Sequence, residues 1–124
     1  MTPALSGIGQ IAVFVSDVAN VLPYYRDVLG LPFLFSAGPN LAFLQAGSVR
    51  LMLGPPEGAG KAGANSVLYF KVTDVEATQK SILARGGINH TDPHFIAKMS
   101  DHELWIGFIS DPDGNLIGLM EEKR

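Results

Sequence analysis

The chain of 124 residues has no cysteine, which excludes a disulfide framework, a thiolate nucleophile and a cysteine-ligated metal. Charged residues are also few: nine lysines and arginines face twelve aspartates and glutamates, and the net charge is −3. Without a basic block, this balance argues against binding to nucleic acid or to an anionic membrane. A weakly charged surface is typical of a protein covered by another subunit, so we expect a homodimer.

Long hydrophobic runs are absent as well. No apolar stretch approaches the roughly 20 residues of a membrane span, and residues 1–9 lack the basic start and apolar run of a signal peptide. We therefore expect a soluble, cytoplasmic protein. Its length predicts one domain, spanning residues 1–124, with a single hydrophobic core.

The sequence contains an internal repeat. Residues 10–31 and residues 67–88 align at one constant offset, which places Asp17 on Asp74 and Gly30 on Gly87. Each copy opens with a short apolar run rich in Val, Phe and Tyr, and an aspartate that can cap a helix follows. Each copy is therefore predicted to contain a strand that leads into a helix.

The two helices differ in how their starts can be read. Asp74 is the expected cap of a helix over residues 75–85, which ends at Gly86. In the first copy Pro23 would break a helix begun at residue 18. We therefore place the cap at Asn20 and the helix at residues 21–29, so that Pro23 falls in the first turn.

Short strands follow each helix, separated by Gly and Pro turns. They are expected at residues 32–35, 40–45 and 49–53, and then at residues 88–90, 95–99, 104–110 and 116–121. Residues 55–65 are rich in Gly, Ala and Pro and indicate a linker between modules at about 8–54 and 66–121. The pattern predicts an α+β domain of two tandem βαβββ modules.

These features resemble the vicinal oxygen chelate superfamily, which includes glyoxalase I, extradiol dioxygenases, and fosfomycin and bleomycin resistance proteins. The resemblance covers essentially the whole chain. It rests on the paired modules, the strand ends VSDV and VTDV, the helix exits LGL and RGG, and the terminal DPDGN turn. It implies a glyoxalase/bleomycin resistance-like fold whose modules form a cup-shaped mixed sheet. Function stays open, because the superfamily contains isomerases, lyases, oxygenases, transferases and binders.

Metal-dependent members of the superfamily hold a divalent ion with inward side chains from the first and last strands of each module. The resemblance places these positions at Gln10, Met52, Val67 and Gly118. Such ions need oxygen and nitrogen donors, and this set offers a single amide oxygen. We therefore expect no metal and no other cofactor. Gln10 then either binds a ligand carbonyl or hydroxyl or bonds only to backbone and water.

The three histidines, His90, His94 and His102, lie close together in the sequence, and Glu103 follows the last of them. We take His94, His102 and Glu103 as candidate catalytic residues at the rim of the cup, because histidine titrates near neutrality. Two alternatives stand beside this interpretation. The histidines are exposed loop residues, or they form a displaced metal site.

Aromatic side chains in the strands are the remaining candidates for ligand contact. Trp105 and Tyr69 each carry a polar atom on a large ring, which suits a ligand pocket. Alternation along the strands places Phe14 and Tyr69 on the inward face together with Gln10. The missing side chain at Gly118 should leave room for the flat part of a ligand.

Two charged strand residues, Arg50 and Lys71, are either counter-ions for an anionic ligand or solvated side chains. Two functions follow from the whole pattern. The first is a metal-free protein that binds a small molecule in an apolar cup, similar to the bleomycin resistance proteins. The second is a metal-independent isomerase or lyase that uses His/Glu acid-base chemistry. A metal-dependent glyoxalase or dioxygenase ranks last, because the sequence lacks the usual ligands.

Overall fold

The computed structural model describes residues 3–124, in which eight strands, two α-helices and one π-helix follow the order predicted from the repeat. The first module contains β1 (Gln10–Phe14), α1 (Val18–Pro23), the π-helix (Tyr24–Val28), β2 (Phe33–Ser36), β3 (Ala42–Ala46) and β4 (Val49–Gly54). The second contains β5 (Leu68–Lys71), α2 (Val75–Ala84), β6 (Ile88–Lys98), β7 (Glu103–Ser110) and β8 (Leu116–Lys123). The α+β fold of two βαβββ modules is confirmed.

Each module builds one four-stranded mixed sheet. The strand orders are β1-β4-β3-β2 and β5-β8-β7-β6. In both sheets the first strand lies at an edge and pairs in parallel with the last strand, while the other pairs are antiparallel. The sequence repeat is therefore a repeat of topology. No helix within residues 3–124 has the length and apolar character needed to cross a membrane.

Strand alternation gives each sheet one buried face and one open face. The buried faces and the helices share a single apolar cluster that includes Val13, Leu51, Val75 and Ile117. One core therefore serves both modules. The open face of the first sheet carries Gln10, Ala12, Phe14, Phe43, Arg50 and Met52. The open face of the second sheet carries Tyr69, Lys71, Ile106, Phe108, Gly118, Met120 and Glu122.

The first helix begins earlier than the sequence suggested. Asp17 is its cap, and the Asp17 carboxylate accepts a hydrogen bond from the backbone N–H of Ala19 at 3.1 Å. The prediction of Asn20 as the cap was wrong. Val18 and Val21 are buried in the core, and their packing favours a helix that starts in the same place as its counterpart after Asp74.

Pro23 lies at the end of α1 and not in its first turn. A π-helix follows it directly, in which the N–H of Leu29 donates to the carbonyl of Tyr24 at 2.9 Å, five residues back. The expected single helix over residues 21–29 is therefore wrong. Proline lacks an N–H and crowds the carbonyl four residues before it. The α-helical hydrogen bonding therefore ends at Pro23, and the wider π-helical turn begins at Tyr24.

The two strands expected at residues 88–90 and 95–99 are one strand, β6. Its pairing with β7 shifts register at three places, and Pro93 lies at the shift between Thr91 and His94. Proline is tolerated at bulges and on edge strands, and β6 is an edge strand.

A buried carboxylate in the DPDGN turn joins the two modules. Asp111 is 1% exposed, and its Oδ1 accepts hydrogen bonds from the backbone N–H groups of Asp113 and Asn115, both at 2.9 Å. Its Oδ2 accepts from the Tyr25 hydroxyl at 2.7 Å and from the Asn115 amide at 2.9 Å. Burial and the Asp111 charge raise the pKa of Tyr25, so the phenol keeps its proton and remains a donor.

Two further contacts reinforce this junction. The Asp113 carboxylate accepts from the backbone N–H of Ser16 at 2.8 Å and from its hydroxyl at 2.6 Å. Asn65 pairs with the backbone of Phe14, accepting at 2.9 Å and donating at 3.0 Å, and also donates to Asn115 at 2.6 Å. The Asn65 side chain thus takes the place of a neighbouring strand at the end of β1.

The junction leads to a test of stability. Tyr25→Phe keeps the ring but leaves the buried Asp111 carboxylate without one of its donors. We expect the free energy of unfolding to fall by about 1–3 kcal/mol in urea denaturation. Tyr69→Phe, which removes a hydroxyl from a half-exposed ring, should change it by less than about 0.5 kcal/mol. Equal effects of the two substitutions would contradict a special role for the junction.

Candidate functional site

The open face of the first sheet holds a connected group of polar side chains. Gln10 on β1 and Arg50 on β4 are register partners, and the Nε of Arg50 donates to the Oε1 of Gln10 at 2.8 Å. The Nε2 of Gln10 lies 3.6 Å from the Sδ of Met52. Gln10 and Met52, two positions that the resemblance assigned to a metal, are therefore neighbours, and a guanidinium lies beside them.

This guanidinium lies over one ring of a stacked aromatic pair. The Cζ of Arg50 lies over the ring of Phe43, 5.1 Å from its centroid. Phe43 in turn stacks on Phe35 of β2, with centroids 4.6 Å apart and ring planes 25° apart. We name Gln10, Phe35, Phe43, Arg50 and Met52 the Arg50 group. It combines hydrogen-bond donors, a positive charge and flat apolar surface, the features of a small-molecule site.

The four positions that the resemblance assigned to a metal do not fit a divalent ion. Val67 has no donor atom, and a Cβ built on Gly118 would lie 2.5 Å from the Cδ2 of Tyr69. The space expected above Gly118 is therefore filled by the Tyr69 ring, and that expectation was wrong. The one suitable donor, the Oε1 of Gln10, already accepts a hydrogen bond from the cationic Arg50.

Tyr69 lies on the open face of the second sheet, as alternation predicted. Its ring is 50% exposed and meets the ring of Phe108 edge-on, with centroids 5.8 Å apart. His90 lies next to the same phenylalanine, at 6.4 Å between ring centroids. The second sheet thus presents an aromatic surface of its own.

Trp105 does not share this surface. It pairs in register with Glu121. Glu121 lies three positions after Gly118, the residue beneath Tyr69, and an odd difference in position changes the face of a strand. The two rings therefore lie on opposite faces of the sheet, and the prediction that both line one cup was wrong. The indole N–H donates to Glu103 at 3.1 Å, and the ring packs against the core.

The candidate catalytic residues are not brought together. His94 is in register with Ile106, and His102 precedes Ile106 by four residues, which is roughly 13 Å along an extended strand. Glu103 accepts a hydrogen bond from the indole of Trp105, whereas His102 lies beside Glu122 on the open face. The Nδ1 of His94 instead contacts the carbonyl of Asp92 at 3.0 Å.

His102 lies between two carboxylates. Its Nδ1 is 2.7 Å from the Oδ1 of Asp101, and its Nε2 is 3.9 Å from the Oε2 of Glu122. The hydrogen bond from His102 holds the pKa of Asp101 below its ordinary value. Glu122 also pairs with Lys71 at 3.4 Å. Lys71 therefore has a protein counter-ion.

Within residues 3–124 a single trio of His, Asp or Glu side chains has its ligand atoms close together, namely Asp74, Glu76 and Glu121. None of the three histidines belongs to this trio. The trio has structural roles: Glu121 accepts from the backbone N–H of Val75 at 2.9 Å at the start of α2, and Glu76 pairs with Lys123 at 2.6 Å.

Phe14 lies on the open face of β1 but is partly covered by the linker. Its ring occupies the space where Gly60 would carry a side chain. Phe35, by contrast, is 45% exposed and was missed in the sequence. Alternation in β2 and β3 was the signal that could have found it, because Phe35 and Phe43 are register partners.

A cavity of about 470 Å³ lies between the modules, and no member of the Arg50 group lines it. It is bounded mainly by apolar side chains of β1, β4 and β5, including Ile11, Leu51 and Phe70. Lys71, its charged lining residue, already pairs with Glu122. Tyr69, a predicted ligand-binding residue, also lines this cavity. We place the candidate site at the Arg50 group, because its polar and aromatic side chains contact one another directly.

Residues 7–119 match the family model described as the Glyoxalase/Bleomycin resistance protein/Dioxygenase superfamily. The chain belongs to this superfamily, which confirms the resemblance seen in its motifs. A relative, the uncharacterized protein YraH of Bacillus subtilis (strain 168), is 28% identical over 124 residues, covering 87% of this chain and 92% of that protein.

Solved structures share the fold. TnmS3, an antibiotic binding protein from Streptomyces sp. CB03234, superimposes with a TM-score of 0.80 at 22% identity, covering 98% of this chain and 100% of its own. Lactoylglutathione lyase from Agrobacterium tumefaciens gives a TM-score of 0.73 at 21% identity, covering 95% of each chain. The same fold therefore carries a binder and an enzyme.

The close approach of Tyr69 to Gly118 can be tested by adding a methyl group. Gly118→Ala should displace the half-exposed Tyr69 ring, altering the NMR signals of Tyr69 and Phe108 at a stability cost below about 1 kcal/mol. The matched variant Gly107→Ala would press on the amide of Gln79, a buried side chain held by Asn89 and Thr91.

We expect Gly107→Ala to cost about 1–3 kcal/mol in urea denaturation, because Gln79 has no space in which to move. Unchanged Tyr69 signals in Gly118→Ala would mean that the ring does not lie over this glycine.

Proposed function

We propose that the protein binds a small molecule at the open faces of its sheets, without a metal ion and as a homodimer. The observation that carries this proposal is the Arg50 group. Its hydrogen bond from Arg50 to Gln10 and its Phe35–Phe43 stack lie on a face that the core does not use. Convergent polar groups beside aromatic surface are typical of ligand sites.

Binding is better supported than catalysis. The binding groups are assembled within hydrogen-bond and stacking distance of one another, whereas His94, His102 and Glu103 are spread along and across the second sheet. General acid-base catalysis requires groups within reach of one substrate. The fold shared with an antibiotic binding protein supports the same choice, although by analogy alone.

Exposed apolar side chains support the homodimer. Phe35 on the open face of the first sheet and Tyr69 on the open face of the second sheet are each more than two-fifths exposed. Apolar patches of this kind mark surfaces that associate. A second copy of the chain that covered these faces would also enclose a ligand bound to the Arg50 group, and the ligand would then be shielded from water.

Binding at the open face is tested by NMR titration of the full chain with a mixed set of neutral and charged aromatic metabolites. We expect a binder to shift amide signals of β1, β3 and β4. Phe35→Ser should weaken its binding about tenfold, because an aromatic contact is lost. Phe95→Ser is the matched control, since Phe95 is 47% exposed and also contacts another aromatic ring, Trp105.

Signals that shift only on the helices would contradict the proposed site. Equal losses of affinity in Phe35→Ser and Phe95→Ser would do the same.

The donor set around Gln10 predicts that the isolated protein carries no stoichiometric transition metal. Elemental analysis of protein purified without chelators should find none, and added Mg²⁺, Mn²⁺, Ni²⁺ or Zn²⁺ should not raise the melting temperature, because only a bound ion stabilises the folded state. One tightly held ion per chain would overturn this prediction and would direct attention to Asp74, Glu76 and Glu121, whose ligand atoms lie close together.

The dimer prediction is checked by light scattering. At micromolar concentration the mass should be twice the 13.2 kDa of one chain, because the apolar open faces are otherwise left in water. A monomer mass under these conditions would show that another partner, or none, covers them.

A further inference from the structure

Resting on the proposed function, we infer that the molecule bound at the Arg50 group is a planar aromatic carboxylate. The class follows from three properties of the group: a guanidinium with free donors, a sheet without competing charge, and a flat aromatic surface beside the guanidinium.

The guanidinium of Arg50 is held in place, but most of its hydrogen-bond donors have no partner within the described residues. Only its Nε takes part in a hydrogen bond within residues 3–124, and that bond goes to Gln10. The two terminal nitrogens carry the N–H groups that match the two oxygens of a carboxylate in a fork geometry. Gln10 and the ring of Phe43 fix the position of the side chain, so less conformational freedom is lost when an anion binds.

The first sheet offers an anion no repulsion. Its four strands, with the sequences QIAVF, FLFS, AFLQA and VRLMLG, contain no aspartate or glutamate, and Arg50 is their only charged residue. Within residues 3–124 no carboxylate forms an ion pair with Arg50. Lys71, a cation on the open face of the second sheet, is paired with Glu122. Of these two open-face cations, Arg50 is therefore the one without a carboxylate partner.

The neighbouring rings select a flat ligand. Phe43 contacts both Arg50 and Phe35, and Phe35 is the more exposed of the two rings. A ligand whose carboxylate meets Arg50 can place an aromatic ring against the exposed Phe35, which is backed by the buried ring of Phe43. Aromatic pairs of this kind add favourable energy beyond their buried area. A carboxylate on an aliphatic chain would lose that contribution.

The test uses 2-naphthoate as the anionic probe and 2-naphthamide as its neutral counterpart of the same shape. Calorimetry and NMR titration on the full chain should show 2-naphthoate binding about tenfold tighter, the effect of a charge-assisted pair. Amide signals of β1, β3 and β4 should shift with either probe. Added salt should weaken only the naphthoate.

Arg50→Met should weaken 2-naphthoate about tenfold or more and leave 2-naphthamide within about twofold. Arg50→Lys should recover only part of the loss, because lysine keeps the charge but not the fork. Arg26→Met is the matched control: it removes the same charge from an exposed arginine of the first module that pairs with Asp27 at 2.9 Å. It should change neither affinity.

The outcomes separate this inference from the proposed function. Equal binding of the two probes at the open face, unaffected by Arg50→Met, would overturn the carboxylate inference and leave the binding site standing. Failure of both probes, when a library compound binds the open face, would do the same. Shifts confined to the helices with both probes and library compounds would overturn the site itself.

Discussion

The structure depends on the buried carboxylate of Asp111. A charge removed from water is tolerated only when hydrogen bonds replace its hydration. Here the turn itself supplies three donors, from Asp113 and Asn115, and the fourth comes from Tyr25 in the other module. The π-helix of the first module is thereby tied to the last turn of the second. Both sheets can then bury one face each in the same core.

Because one core uses one face of each sheet, the two open faces are left to differ. The topology of the modules is the same, yet their polar groups are arranged differently. On the second sheet Lys71, Glu122 and His102 satisfy one another. On the first sheet a single arginine is oriented by an amide and has no acidic partner within the described residues. The two modules share one topology but carry different side chains on their open faces. The first sheet therefore presents the candidate site, whereas the charged side chains of the second sheet pair with one another.

The features that could be predicted from sequence are those set by local chemistry. The repeat, the helix after Asp74 and the succession of elements along each module follow from apolar runs, a capping side chain and turn residues. The start of α1 was misplaced, because the cost of Pro23 was weighed without the burial of Val18 and Val21. β6 was divided in two, because edge position and bulges, which accommodate Pro93, are properties of the assembled sheet.

The candidate site was only partly predictable for a related reason. Gln10 was found from its position in the module, but its contact with Arg50 is a cross-strand pair between residues 40 positions apart. The register of a parallel pair cannot be predicted from either strand alone.

The contact between Arg50 and Gln10 also affects whether a metal ion can bind at Gln10. Two positive charges 4 Å apart repel by about 1 kcal/mol in water and about 4 kcal/mol at an effective dielectric constant near 20. A guanidinium bonded to Gln10 therefore opposes a divalent cation there, and the chain itself supplies the positive charge that an oxyanion needs.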